Sequence, residues 1–235
     1  RSPSRGLGDV YKRQALACDP ISAFGGIVSC NFKLTKILAL EINKIFIEVI
    51  VANGFEKDAL KILKKKKNLR IIDSTNFIVD EVLRLNSIDH SMLIQSEDKK
   101  IFSKKNFSIV SKKKPNKLQY DNLIFAFNIC RYVKSNAIVL ASNKSTVGIG
   151  SGQPSRLDSC QIAINKMKKF IKANNEIVAA SDAFFPFVDG IEKLIQSGVT
   201  AVIQPAGSIR DKEIIKFAND AGVVLIFSKT RHFRH

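Results

Sequence analysis

Hydrophobic positions follow two spacings in the first part of the chain. Short apolar runs, which predict buried strands, occur at Gly26–Cys30, Glu48–Ala52 and Leu69–Ile72. Apolar residues three and four positions apart predict helices at Leu34–Ile45 and Glu56–Lys67, between those strands. Strands and helices that alternate in this way predict a parallel sheet covered by helices.

The second part of the chain alternates again after a predicted hairpin. Two apolar runs, Ala137–Ala141 and Thr146–Gly150, flank Asn143-Lys144, which favours a tight β-turn. The helices predicted here are near Pro115–Lys134 and at Gln161–Lys172, Gly190–Gln196 and Asp211–Ala221, and the strands are Ala201–Gln204 and Val223–Phe227. The pattern therefore predicts a second α/β unit.

Changes in composition suggest where these units begin and end. Residues 1–14 carry Arg and Gly without an apolar period, which predicts a foreign tail outside the fold. Residues 86–116 are polar and Lys-rich, as expected of a linker or an edge hairpin between subdomains. We therefore predict a first subdomain with its linker at 15–116 and a second subdomain at 117–235.

The overall composition is that of a folded, water-soluble chain. Of its 235 residues, 45% are apolar and 25% charged, and no apolar stretch approaches the roughly 18 residues of a membrane helix. The four cysteines are Cys18, Cys30, Cys130 and Cys160. Because they are scattered and form no CxxC pair, we expect reduced thiols, a cytoplasmic location and no metal site.

The charge is strongly positive. The chain has 38 Lys and Arg against 21 Asp and Glu, a net charge of +17, which favours an anionic ligand. Lys accounts for 28 of these 38 residues, with runs such as Lys64–Lys67, whereas specific nucleic-acid readers rely more on Arg. We therefore predict no specific nucleic-acid site. A non-catalytic basic α/β module that binds RNA or another polyanion remains the alternative.

Candidate binding residues follow the predicted strands, where open α/β sheets bind ligands. The turn Gly148–Arg156 brings backbone N–H groups to a helix start, although a tight turn alone explains its glycines. The aromatic segment Ser181–Phe187 suits either core packing or stacking on a planar ring. Pro205–Asp211 contains Ser208 as a predicted N-cap, and Arg231–His235 offers an arginine for phosphate.

Five of these segments, in this order, resemble the transformylase domain of the AICAR transformylase/IMP cyclohydrolase family. They are ACDPISAFGG, VKSNAIVLASNKSTVGIGSGQPSR, SDAFFPF, IQPAGSIRD and RHFRH. The similarity extends from Ala15 to His235. Five ordered motifs are much more specific than a single Gly-rich turn, so this resemblance supplies the main functional hypothesis.

The resemblance implies a cytidine-deaminase-like fold, a three-layer α/β/α arrangement with two similar subdomains, of which the first is truncated here. It implies formyl transfer from 10-formyltetrahydrofolate to the 5-amino group of AICAR (5-aminoimidazole-4-carboxamide ribonucleotide), giving FAICAR in purine biosynthesis. The family's IMP cyclohydrolase activity belongs to another domain. The resemblance also implies a cytoplasmic homodimer whose active sites lie at the subunit interface, and possible use of potassium.

Roles in the family transfer to individual positions of this sequence. The implied substrate-side residues are Phe24, Gly25, Glu48, Asn136, Phe184 and Arg231. The implied folate-side residues are Arg156, Pro186, Asp189 and Ser208. Asn136 is expected to position the AICAR carboxamide, Phe184 to stack near the AICAR ring, and Arg231 to bind the 5′-phosphate.

One element of the family pattern is missing from this sequence. The catalytic Lys-His pair precedes the DPxSAFGG segment in the family, and no counterpart occurs here. The histidines of this chain are His90, His232 and His235. Since formyl transfer to a weakly nucleophilic amine requires a general base, we expect this chain alone to turn over poorly or not at all.

Overall fold

The computed structural model describes residues 14–77, 83–170, 176–232 and 234. Contacts divide the chain into two units between Glu97 and Asp98, earlier than the boundary predicted at residue 116. The difference arises because part of the predicted linker, residues 107–109, forms a strand in the sheet of the second unit. The foreign tail predicted for residues 1–14 lies, except for Gln14, outside the described residues.

The first unit contains the predicted parallel sheet. Its elements are β1 (Gly26–Cys30), α1 (Lys36–Asn43), β2 (Ile47–Ala52), α2 (Lys57–Leu63) and β3 (Arg70–Asp73). The strands lie in the order β1-β2-β3, and both pairs are parallel, which confirms the predicted parallel sheet. Buried Leu38, Ile42 and Leu63 of the helices pack against Ile50 of the sheet.

An antiparallel hairpin follows in the same unit. Strands β4 (Leu83–Ile88) and β5 (Ser91–Ser96) pair through a turn in which Asp89 has a φ of 48°. Asp tolerates this left-handed conformation better than most residues. In the described residues this hairpin forms a two-stranded sheet of its own, and so is not the edge of a larger sheet.

The second unit is built on a mixed sheet. Its strands are β6 (Phe107–Ile109), β7 (Ile138–Ser142), β8 (Ser145–Gly150), β9 (Ile177–Ser181), β10 (Val199–Pro205) and β11 (Val224–Ser228). Their order in the described residues is β6-β11-β10-β9-β7-β8, in which β9, β10 and β11 are mutually parallel. Asn143 and Lys144 both have positive φ, as a two-residue hairpin turn requires, and this confirms the predicted β7–β8 hairpin.

Helices cover both faces of this sheet. They are α3 (Lys117–Cys130), α4 (Arg156–Phe170), α5 (Val188–Gln196) and α6 (Asp211–Asp220). Successive residues of β7 alternate between two cores: Leu140 packs with Ile164 of α4 and Leu194 of α5, whereas Val139 packs with Phe127 of α3. The mixed α/β class is confirmed, and the second unit has the three layers expected.

Two glycines allow α4 to lie directly on β8. A Cβ on Gly150 would stand 1.9 Å from the carbonyl oxygen of Ser159, and one on Gly148 would stand 2.2 Å from that of Ala163. Both obstacles are backbone atoms, so rotation of a side chain cannot relieve the clash. Gly148 and Gly150 therefore serve close helix–strand packing.

This packing leads to a stability prediction for Gly150→Ala. We expect the free energy of unfolding to fall by about 2–3 kcal/mol, because the added methyl group must push α4 away from the sheet. Chemical denaturation measures the change. Ser151→Ala, at the exposed neighbouring position, is the control and should change stability by less than about 0.5 kcal/mol. Equal stability of the two variants would contradict the packing argument.

Candidate functional site

A cavity of about 580 Å³ opens in the second unit, beyond the carboxyl ends of β9 and β11. Loops at this edge of a parallel sheet are the usual location of ligand sites. Six of the residues predicted to bind ligands line it: Asn136, Arg156, Phe184, Pro186, Asp189 and Arg231. Segments far apart in sequence thus meet at one place.

The three phenylalanines after β9 have different environments. Phe185 is 1% exposed and packs on Gly190, where a Cβ would come within 2.7 Å of its ring. Phe184 is half-buried and lines the cavity. Phe187 also lines the cavity, and the Arg210 guanidinium lies 4.6 Å from its ring centroid. Phe185 therefore packs in the core, whereas Phe184 and Phe187 lie at the cavity. Each of the two interpretations of this motif thus applies to part of it.

A buried ion pair lies at the side of the cavity. The Arg156 guanidinium donates to the Asp182 carboxylate through Nη1, and these side chains are 11% and 1% exposed. Nη1 also donates to Ser181 Oγ at 3.0 Å. The other Asp182 oxygen accepts from Ser135 Oγ at 2.6 Å. Asp182 therefore neutralises Arg156 and links it to Ser135 at the side of the cavity.

Asn136 connects this ion pair to the Gly-rich turn. Its Oδ1 accepts from Arg156 Nη2 at 2.7 Å. Its Nδ2 donates to the carbonyl oxygens of Gln153 and Pro154, both at 2.9 Å. The carbonyl oxygen of Asn136 accepts from Ser159 Oγ at 2.9 Å. Asn136 therefore holds the start of β7, the turn and the start of α4 in one arrangement.

These hydrogen bonds also explain why α4 begins at Arg156, before the predicted start at Gln161. Arg156 and Ser159 place polar groups inside the protein, where they find hydrogen-bond partners. A search for apolar spacing does not detect such a turn. The sequence feature that could have indicated the early start of α4 is the run of residues with hydrogen-bonding side chains directly after the glycines.

The described residues of the terminal segment, Arg231, His232 and Arg234, lie against the same region, as the position of the segment after a buried strand indicated. The backbone N–H of His232 donates to the carbonyl oxygen of Asp182 at 3.0 Å, and that of Ser135 donates to Arg234 at 2.9 Å. Arg231, which directly precedes the first of these attachments, is exposed and lines the cavity. Sequence reasoning missed the roles of Ser135 and Asp98, the latter a hydrogen-bond partner of the His232 ring.

Three further predicted residues lie together in the first unit. The rings of Phe24 and Phe46 are 5.1 Å apart, and the Gly25 N–H donates to the carbonyl oxygen of Phe46 at 3.0 Å. Gly25 has a φ of 72°, and a Cβ there would lie 3.8 Å from Glu48 Oε1. Phe24, Gly25 and Glu48 therefore form a local group of their own.

Ser208 does not line the cavity, and the prediction that it caps α6 is wrong. The N-cap position belongs to Arg210, whose N–H donates to Ser208 Oγ at 3.2 Å. The Asp211 carboxylate turns back to accept from the N–H groups of Gly207 and Ser208. Asp211, the first residue of α6 and three positions after Ser208, thus holds the turn that precedes the helix.

Thiol chemistry is suppressed near the cavity. Burial raises the pKa of Cys160 to about 12, and burial, with the neighbouring Asp182 charge, also raises the pKa of Cys130. Both thiols are therefore protonated at neutral pH and poorly nucleophilic.

Within the described ranges, no group of three His, Cys, Asp or Glu side chains is arranged to hold a metal ion. Among the helices described there, none is long and apolar enough to cross a membrane.

Comparison with known proteins identifies the family. The model of the AICARFT/IMPCHase bienzyme family matches residues 5–166, a range that includes most of the predicted foreign tail. The chain is 44% identical to the bifunctional purine biosynthesis protein PurH of Parvibaculum lavamentivorans over 97% of this chain, and 42% identical to that of Aquifex aeolicus over 94%. It spans 44% and 43% of the lengths of these relatives. The chain belongs to the AICARFT/IMPCHase bienzyme family.

Proposed function

We propose that this chain binds AICAR and a reduced folate for formyl transfer, from 10-formyltetrahydrofolate to the AICAR 5-amino group, in purine biosynthesis. The observation that carries the proposal is the convergence of Asn136, Phe184 and Arg231 on one cavity. Family membership supports the same reaction. The homodimer, the cytoplasmic location and a potassium requirement stay predictions.

The cavity offers groups that suit a phosphorylated imidazole. Phe184 presents part of an aromatic ring, on which a planar heterocycle can stack. Arg231 supplies a guanidinium, which pairs with phosphate through two parallel hydrogen bonds. Arg231 is exposed at the cavity, whereas the Arg156 side chain is 11% exposed. Arg231 is therefore more accessible to a ligand and is the candidate for the phosphate.

Other residues of the lining suit a folate. Pro186 and Phe187 give apolar surface, and Asp189 is an exposed carboxylate in the first turn of α5. One Asp189 oxygen accepts from the Gly190 N–H at 2.7 Å, and a carboxylate has capacity for further donors such as pterin N–H groups. The bound folate supplies the formyl group, whereas these residues bind and orient it.

The general base is a separate question. Of the histidines that the structure describes, His90 is 96% exposed in the β4–β5 turn and His232 is buried. Neither lines the cavity. We therefore propose that the chain supplies binding and orientation, and that proton transfer depends on the family's Lys-His motif.

Titration of the chain with AICAR, followed by chemical shifts, tests the binding proposal. We expect Phe184→Ala and Arg231→Ala each to weaken AICAR binding by about 1–3 kcal/mol, through loss of stacking and phosphate pairing. Lys216→Ala, which removes a positive charge from an exposed site on α6 away from the cavity lining, is the matched control and should bind normally.

The same titration discriminates against a general polyanion binder. Such a module would bind RNA with an affinity that falls steeply with salt and would not respond to AICAR. Unchanged AICAR affinity in both cavity variants, or equal weakening in Lys216→Ala, would contradict the proposed site.

A further inference from the structure

His232 is a polar side chain in an apolar environment. It is 1% exposed, and its ring centroid lies 5.0 Å from that of Phe102 and 4.5 Å from that of Phe127. Its Nδ1 lies 2.5 Å from Asp98 Oδ2, where an imidazole N–H donates to the carboxylate. Its Nε2 has no hydrogen-bond partner among the described residues. An apolar residue would avoid the cost of burying that nitrogen.

The backbone around His232 is held on both sides. Its own N–H donates to the carbonyl oxygen of Asp182, and Ser135 forms two hydrogen bonds with the backbone of Arg234, at 2.9 and 3.2 Å. Arg231 lies beside these attachments and lines the cavity. The direction of the Arg231 side chain therefore depends on the register in which the terminal segment is held.

We infer that His232 is a positioning residue for Arg231. Its directional hydrogen bond to Asp98 fixes one register of the terminal segment, in which Arg231 faces the anionic end of a ligand. Hydrophobic contact with Phe102 and Phe127 is non-directional and would not by itself distinguish this register from a shifted one. The inference rests on the proposed function, since it assigns Arg231 to the AICAR phosphate.

The decisive measurement compares AICAR with its nucleoside, which lacks the phosphate, in the variant His232→Leu. Leucine fills the aromatic pocket but cannot donate to Asp98. We expect AICAR affinity to fall about five- to tenfold, a part of what a charge-assisted phosphate contact is worth, and nucleoside affinity to stay unchanged. A general loss of structure would weaken both ligands.

Further variants separate positioning from folding. His232→Asn places an amide N–H near the original Nδ1 and should restore much of the AICAR affinity. Asp98→Ala removes the acceptor from a partly exposed position and should reproduce the selective loss if His232→Leu does not fold. In an Arg231→Ala background, His232→Leu should cause no further loss, because the two residues act through one contact.

The results distinguish this inference from the proposed function. If the unchanged chain binds AICAR, and the folded His232→Leu variant binds it equally tightly or loses both ligands equally, the positioning role is overturned and the proposed function stands. Where His232→Leu does not fold, the same two outcomes in Asp98→Ala overturn it. If the unchanged chain binds neither ligand, the proposed function fails and the positioning role fails with it.

Discussion

Formyl transfer is expected to rise about a hundred- to ten-thousandfold when a segment carrying the family's Lys-His motif is joined ahead of Ala15, the range typical of general acid–base catalysis. The AICAR amine is attached to an aromatic ring and is a weak nucleophile, so a base must remove its proton as the formyl group arrives. The cavity presents Asn136, Arg156 and Arg231 but no imidazole from the described residues. FAICAR formation, followed by its absorbance, measures the effect.

The control for this experiment is the same joined chain with the motif's histidine replaced by alanine. It should return to the rate of the unmodified chain while binding AICAR normally. FAICAR formation by the unmodified chain at a comparable rate would contradict the assignment of the base. The comparison also separates binding from catalysis, because the AICAR titration is independent of turnover.

Asp182→Ala is expected to destabilise the protein by about 3–5 kcal/mol, the usual cost of removing one partner from a buried ion pair. The substitution leaves the Arg156 guanidinium buried without its carboxylate and removes the acceptor for Ser135 Oγ. Because Arg156 also holds Asn136, the Gly-rich turn should loosen as well. Chemical denaturation of the variant and the original chain gives the difference.

An exposed carboxylate on the same unit provides the matched control. Asp220→Ala, at the end of α6, should change the free energy of unfolding by less than about 0.5 kcal/mol. If Asp182→Ala were as stable as this control, the pair would contribute nothing to the fold.

Apolar spacing was sufficient to predict most of the architecture. The parallel order of β1, β2 and β3 and the hairpin at Asn143-Lys144 followed from short apolar runs and turn-forming residues. These features are local, and burial of apolar surface enforces them. The gathering of six of the predicted residues at one cavity is in line with a topological rule, that loops at the carboxyl ends of parallel strands lie at one edge.

Features decided by specific polar contacts were harder to predict. The early start of α4 depends on buried hydrogen bonds of Arg156 and Ser159, and the spacing of apolar residues carries no information about these. The sequence also could not reveal that Phe185 enters the core while Phe184 faces the cavity, because both are equally hydrophobic. The Asp98–His232 contact joins residues 134 positions apart, and no local pattern connects them.

Strand β6 has a practical consequence for dissecting the protein. It pairs antiparallel with β11 and so covers an edge of the mixed sheet, although it precedes α3 in the sequence. A recombinant piece started at residue 117 would expose the backbone groups of β11 and offer them to other molecules, a common route to aggregation. Cloning boundaries intended to retain the cavity should therefore be set at or before Asp98.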